Sequence, residues 1–345
     1  PSFIIDDAGS VRYAANTTIR SVAVYGGQIE YDVTSRTNNY GFYDSVDYAR
    51  SHDDKKTIAF VGDSFTAGEA GFPWVSELRE RLHRPDIEVY DLGVSGASTR
   101  HMEKLVDTVY GDLGFDEVNI MVIANDFYRP FWIPAQKNGA MWFCRPGVDP
   151  PDCTAERRPL LHEVTLEESQ EAILKRAADI YDTNRGMKSS IDSFWKRLNL
   201  YTVACDAYSR IHPDRRNLDF CPHLARHYYK SYVKTAYYHQ SVESLMALTR
   251  RYPAVKFRVF HIPEKGEVAL NRYGLDVGTD LRNSGLEYVP LLPRCDWNIS
   301  DFHKHDYHPN RKGYTKLLRC VADVVNNSLG SVSLEPHIAA TAPTP

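Results

Sequence analysis

Short apolar runs alternate with amphipathic stretches along much of the chain. Five runs rich in β-branched and aromatic residues have the length and composition of buried strands: 57–61, 87–92, 118–124, 255–262 and 286–292. Apolar residues at helical spacing follow three of these strands and predict three helices. Val75, Leu78 and Leu82 follow the first strand, and Met102, Leu105, Val106 and Val109 follow the second. After the last strand, a possible cap at Asn310 precedes Tyr314, Leu317, Leu318, Val321 and Val325. This alternation predicts a three-layer α/β/α fold around a five-stranded parallel sheet.

Two segments interrupt the alternation. Residues 1–55 are polar, Tyr-rich and turn-rich, which predicts an N-terminal extension packed on the main domain, residues 56–330. Residues 127–250 are far longer than an ordinary crossover between strands. Their helical patterns at 166–178, 190–211 and 227–251 predict a helical insertion over the site. The Ala-, Pro- and Thr-rich tail, 331–345, is predicted to be disordered.

The overall charge excludes some classes of function. The chain has 41 Lys and Arg against 45 Asp and Glu, a net charge of −4, which argues against a nucleic-acid partner bound through its phosphates. No run approaches the 18 apolar residues of a membrane-spanning helix. The segment from Pro1 has neither the basic nor the apolar region of a signal peptide, so removal of an upstream signal or membrane anchor stays open.

The six cysteines bear on the cellular compartment. None of them forms the C-x-x-C pair that is typical of zinc or redox sites. Their spacing favours three local disulfides, Cys144–Cys153, Cys205–Cys221 and Cys295–Cys320, and the alternative is six buried thiols in a cytosolic enzyme. The even count and the local spacing favour an oxidising, extracytoplasmic compartment, either periplasmic or extracellular.

The first predicted strand ends in Gly62-Asp63-Ser64. A serine at the carboxyl end of a parallel strand, followed by a helix, is suited to act as a nucleophile beside backbone N–H groups that stabilise an oxyanion. A phosphate-binding loop would need Lys where Glu69 stands, and a nucleophile elbow would need Gly where Thr66 stands. An ordinary turn is the remaining alternative for this motif taken alone.

Three more polar motifs follow the predicted strands: 91–99, Asn125-Asp126 and 306–314. We expect them to meet Ser64 at one sheet edge and to supply the parts of an acyl-transfer site, with His308 as general base and Asp306 orienting it. The backbone N–H groups of Ser64 and Gly96 and the side-chain amide of Asn125 would form the oxyanion hole. In an extended segment, which Pro309 favours, Asp306 and His308 would point to the same side.

This set of motifs resembles the SGNH (GDSL-like) hydrolase superfamily over roughly residues 57–325. The matching residues are Gly62-Asp63-Ser64, Gly96, Asn125-Asp126, and Asp306 with His308, and residues 39–43 are similar to bacterial extracytoplasmic members. The resemblance implies a flavodoxin-like SGNH fold and ester hydrolysis by Ser, His and Asp with no metal or other cofactor. The chain departs from the pattern at Ile123, where a glycine is common. The frequent Asp-x-x-His spacing would put His305 in the carboxylate position, whereas the Asp-x-His spacing found here is similar to that of alginate-type acetyltransferases.

A metal site is the main alternative for residues 301–308. Asp301, His303, His305, Asp306 and His308 are all possible ligands. Alternating residues on one strand face could not all ligate a single ion, and Ser64 would then have no role. His303 and His305 are therefore interpreted as surface or supporting residues. His261, at the end of the fourth strand, is interpreted as a buried structural residue.

The favoured function is a serine esterase that removes acyl groups, above all acetyl, from a glycan or a small ester. An O-acyltransferase that uses the same triad, with a sugar hydroxyl in place of water, is a close alternative. A non-catalytic carbohydrate-binding protein on the same scaffold is a third alternative. The presence of Ser64, Asn125 and His308 together argues against it.

Overall fold

The computed structural model describes residues 3–5, 10–25, 27–50, 55–82, 84–129, 131–134, 141–145, 152–154, 164–179, 234 and 236–329. In chain order its strands are β1 (Phe3–Ile5), β2 (Val11–Tyr13), β3 (Thr18–Tyr25), β4 (Gln28–Arg36), β5 (Lys56–Gly62), β6 (Ile87–Gly93), β7 (Glu117–Val122), β8 (Phe131–Pro134), β9 (Met141–Arg145), β10 (Asp152–Thr154), β11 (Lys256–His261) and β12 (Glu287–Pro290). Its helices are α1 (Ser64–Ala67), α2 (Trp74–Leu82), α3 (Thr99–Leu113), α4 (Ala236–Arg251), α5 (Lys265–Leu270), α6 (Gly278–Asn283) and α7 (Arg311–Leu329).

The central sheet has five parallel strands in the order β12-β11-β7-β5-β6. Each of the five predicted strands is present, and the order is the flavodoxin-like one, so the predicted fold class is confirmed. The strand order reverses beside β5, which has β6 on one side and β7 on the other. Ligands of such sheets bind at the carboxyl ends of the strands next to this reversal, and the Gly62-Asp63-Ser64 motif lies there.

Helices cover both faces of this sheet. One apolar cluster joins the sheet to α2 and α7, and the other joins it to α3 and α4. All the helix residues singled out by their spacing are buried in these clusters: Val75, Leu78, Leu82, Met102, Leu105, Val106, Val109, Tyr314, Leu317, Leu318, Val321 and Val325. Asn310 does precede the last helix, and its Oδ1 accepts from the N–H groups of Lys312 at 3.0 Å and Gly313 at 3.2 Å.

The N-terminal segment contains regular structure. Strands β1 and β2 pair antiparallel, and β3 and β4 form a long antiparallel hairpin. The segment is fastened to the main domain by an ion pair between the buried Asp44 and Arg79 of α2, at 2.6 Å. The hydroxyl of Tyr48 also accepts from Asp91 N–H of β6 at 2.8 Å. These contacts position the β3–β4 hairpin beside the carboxyl edge of the central sheet, as its contacts with residues 305 and 306 show.

The insertion between β7 and β11 is helical only in part. Residues 170–179 and α4 are helical and overlap two of the predicted stretches, but β8, β9 and β10 form a three-stranded antiparallel sheet in a part of the insertion where no strand was predicted. These strands form because β8 and β9 are rich in Phe, Trp and Ile, which favour extended backbone. The predicted helices were based on helical spacing alone. The predicted helix at 190–211 and the predicted disordered tail lie outside the described residues.

One predicted disulfide is confirmed. Cys295 and Cys320 are bonded and tie the loop after β12 to α7. The register of β9 and β10 places Cys144 opposite Cys153, but their side chains lie outside the described residues, as do Cys205 and Cys221, so those two disulfides stay predictions. Within the described part of the chain, no helix combines the length and the apolar character needed to cross a membrane.

Candidate active site

Ser64 lies at the first position of α1, with one residue between it and strand β5 of the central sheet. The Asp63 side chain caps this helix, with Oδ1 accepting from Phe65 N–H at 2.9 Å. Glycines let the turn pack tightly against the sheet edge. A Cβ atom on Gly62 would lie 2.0 Å from Thr66 Oγ1, and one on Gly93 would lie 2.2 Å from Ala67 N. These two glycines therefore allow α1, which carries Ser64, to lie close against the edge of the sheet.

A chain of hydrogen bonds joins Ser64, His308 and Asp306. Nε2 of His308 lies 2.7 Å from Ser64 Oγ, and Nδ1 of the same ring is hydrogen-bonded to Asp306 Oδ1. When Nδ1 carries the ring proton and donates it to Asp306, Nε2 is the acceptor for the Ser64 hydroxyl. The structure thus brings the three residues predicted from the sequence into one relay, the arrangement that activates a serine as a nucleophile.

The contacts within this chain of hydrogen bonds shift the pKa values of His308 and Asp306 in opposite directions. Burial lowers the pKa of His308, but the hydrogen bond to Asp306 and the negative charges of Glu69, Asp306 and Asp63 outweigh it, so the pKa is raised. For Asp306, burial opposes ionisation, yet the hydrogen bonds from His308 lower its pKa to about 2. Asp306 is therefore ionised at neutral pH, and its negative charge favours the protonated form of the His308 ring.

The segment carrying Asp306 and His308 is a closed loop and not the extended strand we expected. His303 N–H donates to the His308 carbonyl at 3.0 Å, and Phe302 bridges Pro309. The two catalytic candidates meet because His308 N–H also donates to Asp306 Oδ1 at 2.8 Å, which bends the backbone back over the carboxylate. The expected pairing of the side chains is present, but the backbone argument for it was wrong.

The N-terminal hairpin supplies contacts that the sequence did not predict. Tyr25 and Tyr31 donate from their hydroxyls to Asp306 Oδ2, at 3.3 and 3.4 Å. The Glu30 carboxylate accepts from the backbone N–H groups of His305 at 2.9 Å and Asp306 at 3.0 Å. Both oxygens of the Asp306 carboxylate thus have hydrogen-bond donors, and the loop is anchored to the hairpin.

The three predicted oxyanion-hole donors follow three neighbouring strands. Ser64 follows β5, Gly96 lies in the loop after β6 with φ +77°, and Asn125 lies in the 3₁₀ turn Ala124–Phe127 after β7. In the described part of the chain no hydrogen bond uses the N–H of Ser64 or Gly96 or the amide of Asn125. The side chain of Asn125 is partly exposed. These donors are thus available at the sheet edge that carries the relay.

An arginine whose side chain is 16% exposed connects the motif of Ser64 with that of Asn125. Arg129 lies 3.0 Å from Asp63 Oδ2 and 3.5 Å from Asp126 Oδ1. The second oxygen of Asp126 accepts from Ile123 N–H at 2.9 Å, which fixes the turn that presents Asn125. Burial and the negative charge of Asp63 raise the pKa of Asp126. No role was predicted for Asp126, and Arg129 lies in the region that was interpreted as an insertion.

The remaining metal-ligand candidates lie apart from the relay. Asp301 is buried and accepts from Lys316 Nζ at 2.7 Å, on the far side of the loop, while His303 and His305 contact Tyr31 and Tyr25 of the hairpin. No group of three or more His, Cys, Asp or Glu side chains among the described residues is arranged to hold a metal ion. His261 is buried against Tyr273, and burial lowers its pKa to about 3, which fits its interpretation as a structural residue.

Comparison with known families supports what the geometry indicates. A family model described as GDSL-like lipase/acylhydrolase matches residues 58–321, which include Ser64, Gly96, Asn125, Asp306 and His308. The chain belongs to this family. The match confirms the resemblance seen in the sequence motifs, and it makes ester hydrolysis the general activity expected of the protein.

Solved structures of GDSL-type and other esterases are similar to this chain at low identity. A GDSL-like lipase from Bacteroides thetaiotaomicron is 9% identical with a TM-score of 0.38, covering 81% of this chain and 93% of its own. A psychrotrophic esterase from Pseudoalteromonas is 12% identical with a TM-score of 0.38, covering 80% and 100%. An acetylxylan esterase from Geobacillus stearothermophilus is 12% identical with a TM-score of 0.37, covering 80% and 97%. The family assignment rests on the family model. Comparison with curated protein sequences finds no match.

The contacts of Glu30 lead to a prediction for this member of the GDSL-like family. Glu30→Ala should lower kcat for p-nitrophenyl acetate about tenfold, because two backbone N–H groups of the loop lose a charged acceptor and Asp306 is held less firmly. KM should change little, since Glu30 makes its contacts with the loop backbone. Glu30→Gln keeps one acceptor oxygen and should retain more of the turnover.

Asp32→Asn is the matched control for Glu30, because Asp32 lies on the same strand and pairs with Arg20 at 2.6 Å. It should leave kcat near the wild-type value. If Asp32→Asn and Glu30→Ala reduce turnover equally, the effect comes from a loosened hairpin, and the specific role of Glu30 at the loop is wrong.

Proposed function

We propose that the protein is a serine esterase that removes short acyl groups, above all acetyl, from a carbohydrate outside the cytoplasm. The observation behind this proposal is the relay at the sheet edge, in which Nε2 of His308 lies 2.7 Å from Ser64 Oγ and Nδ1 is bonded to Asp306. A serine, a base and a carboxylate in this order are the parts that acyl transfer requires.

In the first half-reaction the Ser64 hydroxyl attacks the ester carbonyl carbon. Its proton passes to Nε2 of His308 as the new bond between Oγ and carbon forms, and the carbonyl oxygen becomes an oxyanion. When this intermediate collapses, the bond between the carbon and the alcohol oxygen breaks. His308 then gives its proton to the departing alcohol, which leaves Ser64 acylated. Asp306 stays ionised throughout and stabilises the imidazolium.

In the second half-reaction a water molecule takes the position of the departed alcohol. It gives one proton to Nε2 of His308 as its oxygen attacks the acyl carbon, and the collapse of the second oxyanion breaks the bond to Ser64 Oγ. His308 returns the proton to Oγ, so the acid is released and the enzyme regains its starting state. If a sugar hydroxyl replaced the water, the same steps would transfer the acyl group.

The oxyanion hole gives a prediction for Asn125. Asn125→Ala should lower kcat for p-nitrophenyl acetate by about 10²–10³-fold, the usual loss when one donor to the oxyanion is removed. Labelling of Ser64 by a fluorophosphonate should stay detectable in this variant, because the bond between Ser64 and His308 does not involve Asn125. An Asn125→Ala variant with wild-type kcat would contradict the assignment of this amide.

The surroundings of the relay support a carbohydrate ester as substrate. Tyr25 is 38% exposed and Tyr307 is 47% exposed, and both lie beside the relay, with the ring of Tyr25 stacked on His305. Exposed aromatic faces next to polar groups are suited to the mixed surface of a sugar. Ser64 Oγ lies 2.7 Å from His308 Nε2 and 3.5 Å from Asp63 Oδ2, and such polar groups favour a short acyl chain over a long hydrocarbon.

The disulfide between Cys295 and Cys320 supports an oxidising, extracytoplasmic compartment. The experiment that tests the proposed activity is product analysis by mass spectrometry with an acetylated oligosaccharide, in the presence and absence of an unacetylated acceptor. Release of free acetate in both reactions supports the esterase. Acetyl found mainly on the acceptor would identify a transferase, and no acetyl release at all would contradict both.

A further inference from the structure

A second carboxylate lies beside the imidazole of His308, on the side opposite Asp306. Oε2 of Glu69 is 3.6 Å from Nε2 of His308, and the same oxygen accepts from Ser95 Oγ at 2.8 Å. The side chains of Glu69 and His308 are 22% and 20% exposed, so a molecule entering the site can reach both. The relay itself uses Asp306 and leaves Glu69 without a role.

The position of Glu69 relative to Nε2 determines what it can contact. In the proposed mechanism Nε2 protonates the alcohol oxygen as it leaves, so the alcohol part of the ester must lie next to Nε2. A hydroxyl on the neighbouring carbon of that alcohol would then come within reach of the Glu69 carboxylate. Ser95 occupies only one of the acceptor positions of this carboxylate, which leaves room for a second donor.

Several charged and titratable groups lie near Glu69, and the two that can carry a positive charge are paired with other carboxylates. The negative charge of Glu69 acts on four tyrosines of the extension and α7 (Tyr13, Tyr31, Tyr43 and Tyr314), and on Arg129 and His308. Arg129 contacts Asp63 and Asp126, and those two contacts occupy its charge. His308 is paired with Asp306. The other carboxylates near His308, Asp63 and Asp306, add to the negative field there.

We propose that Glu69 binds the alcohol part of the substrate through a hydroxyl on the carbon adjacent to the one that carries the ester oxygen. The same carboxylate disfavours alcohols that carry a negative charge there. The preferred substrates are thus esters of uncharged polyhydroxylated alcohols, as opposed to esters of simple alkyl alcohols or of hydroxy acids. This inference rests on the proposed esterase function, and it adds the class of alcohol that the site accepts.

Three acetyl esters of similar size test this inference. Ethyl acetate has no second group on the alcohol, 2-hydroxyethyl acetate has a neighbouring hydroxyl, and acetoxyacetate has a carboxylate. We expect the wild type to prefer 2-hydroxyethyl acetate over ethyl acetate by about tenfold in kcat/KM, since a hydrogen bond to a charged acceptor is strong. We expect it to disfavour acetoxyacetate by about tenfold through repulsion of like charges.

Two variants of Glu69 separate the effect of its acceptor oxygen from the effect of its negative charge. Glu69→Ala removes both the acceptor and the charge. The kcat/KM for 2-hydroxyethyl acetate should then lie within about twofold of that for ethyl acetate, after correction for the intrinsic reactivity of the two esters. Glu69→Gln keeps an acceptor oxygen but removes the charge, so it should relieve the discrimination against acetoxyacetate. It should also shift the acid limb of the pH profile to lower pH, because an anion that raises the pKa of His308 is lost. Glu80→Gln, on the exposed face of α2, removes one charge elsewhere and should leave all ratios unchanged.

Two outcomes overturn the proposal. One is a wild-type enzyme that hydrolyses 2-hydroxyethyl acetate no faster than ethyl acetate, a result that does not depend on any variant folding. The other is wild-type ester ratios in both Glu69→Ala and Glu69→Gln. In either case, continued turnover of p-nitrophenyl acetate shows that the esterase function stands and that only the role of Glu69 is wrong. Absence of that turnover in the wild type would instead overturn the proposed function.

Discussion

Ser64→Ala should lower kcat for p-nitrophenyl acetate by about 10⁵-fold, the scale of loss seen when the nucleophile of a serine hydrolase is removed. The physical reason is that His308 Nε2 then has no hydroxyl to deprotonate, because Ser64 Oγ is the atom 2.7 Å away from it. This loss corresponds to about 7 kcal/mol of activation free energy. Steady-state kinetics with equal amounts of folded protein, checked by thermal unfolding, measures it.

A matched control removes a hydroxyl elsewhere. Ser328 lies on the exposed side of α7, where its Oγ donates to the Val325 carbonyl of its own helix at 2.7 Å, and Ser328→Ala removes this hydroxyl. It should keep the wild-type kcat. If Ser64→Ala retained more than about a tenth of the wild-type turnover, hydrolysis would not proceed through this serine.

Asp306→Asn should lower kcat by about 10⁴-fold near neutral pH, because an amide of the same size does not hold the His308 ring in the tautomer that leaves Nε2 free to accept a proton. The loss of the negative charge also removes a cause of the raised pKa of His308. The acid limb of kcat/KM should therefore move to lower pH in this variant, since His308 is active as a base only when neutral. A pH series of kcat/KM measures both effects.

Asp301→Asn is the informative control for Asp306. Asp301 is the other buried carboxylate of this segment, but its partners are Lys316, Lys312 and Asn298 N–H, which tie the loop to α7. Asp301→Asn should reduce the free energy of unfolding by about 1–3 kcal/mol, as expected for weakened charged hydrogen bonds, and should leave kcat of the folded protein near normal. A large loss of kcat in Asp301→Asn with near-normal Asp306→Asn would reverse the assignment of the acid.

The positions of the central strands and of the site motifs follow from local features of the sequence. A buried parallel strand is a short apolar run, and the residues after it are placed at the carboxyl edge of the sheet by the fold itself. For this reason Ser64, Gly96 and Asn125 could be assigned to one edge without knowing any contact between them. The pairing of Asp306 with His308 was predicted from extended backbone. The structure has a bent loop at 303–308 instead, and this bend depends on hydrogen bonds within the loop that residue spacing does not show.

Contacts between distant parts of the chain could not be predicted in the same way. Tyr25 and Tyr31 are 281 and 275 residues away from Asp306 in the sequence, and nothing in the pattern of the N-terminal segment shows which side of the domain it covers. Glu69 was noticed only as the residue that excludes a phosphate-binding loop, although it follows α1 by two residues and lies beside His308. Such residues become candidates only when the surface on which they lie has been assembled.

The central claim is that Ser64 is the nucleophile and that His308 activates it. The most direct measurement is mass spectrometry of the protein after treatment with a fluorophosphonate, followed by peptide mapping, for the wild type and for His308→Ala. We expect one phosphonyl group per chain on the peptide that contains Ser64, with labelling of His308→Ala slower by orders of magnitude. A label on another residue, or equal rates of labelling in the two proteins, would contradict it.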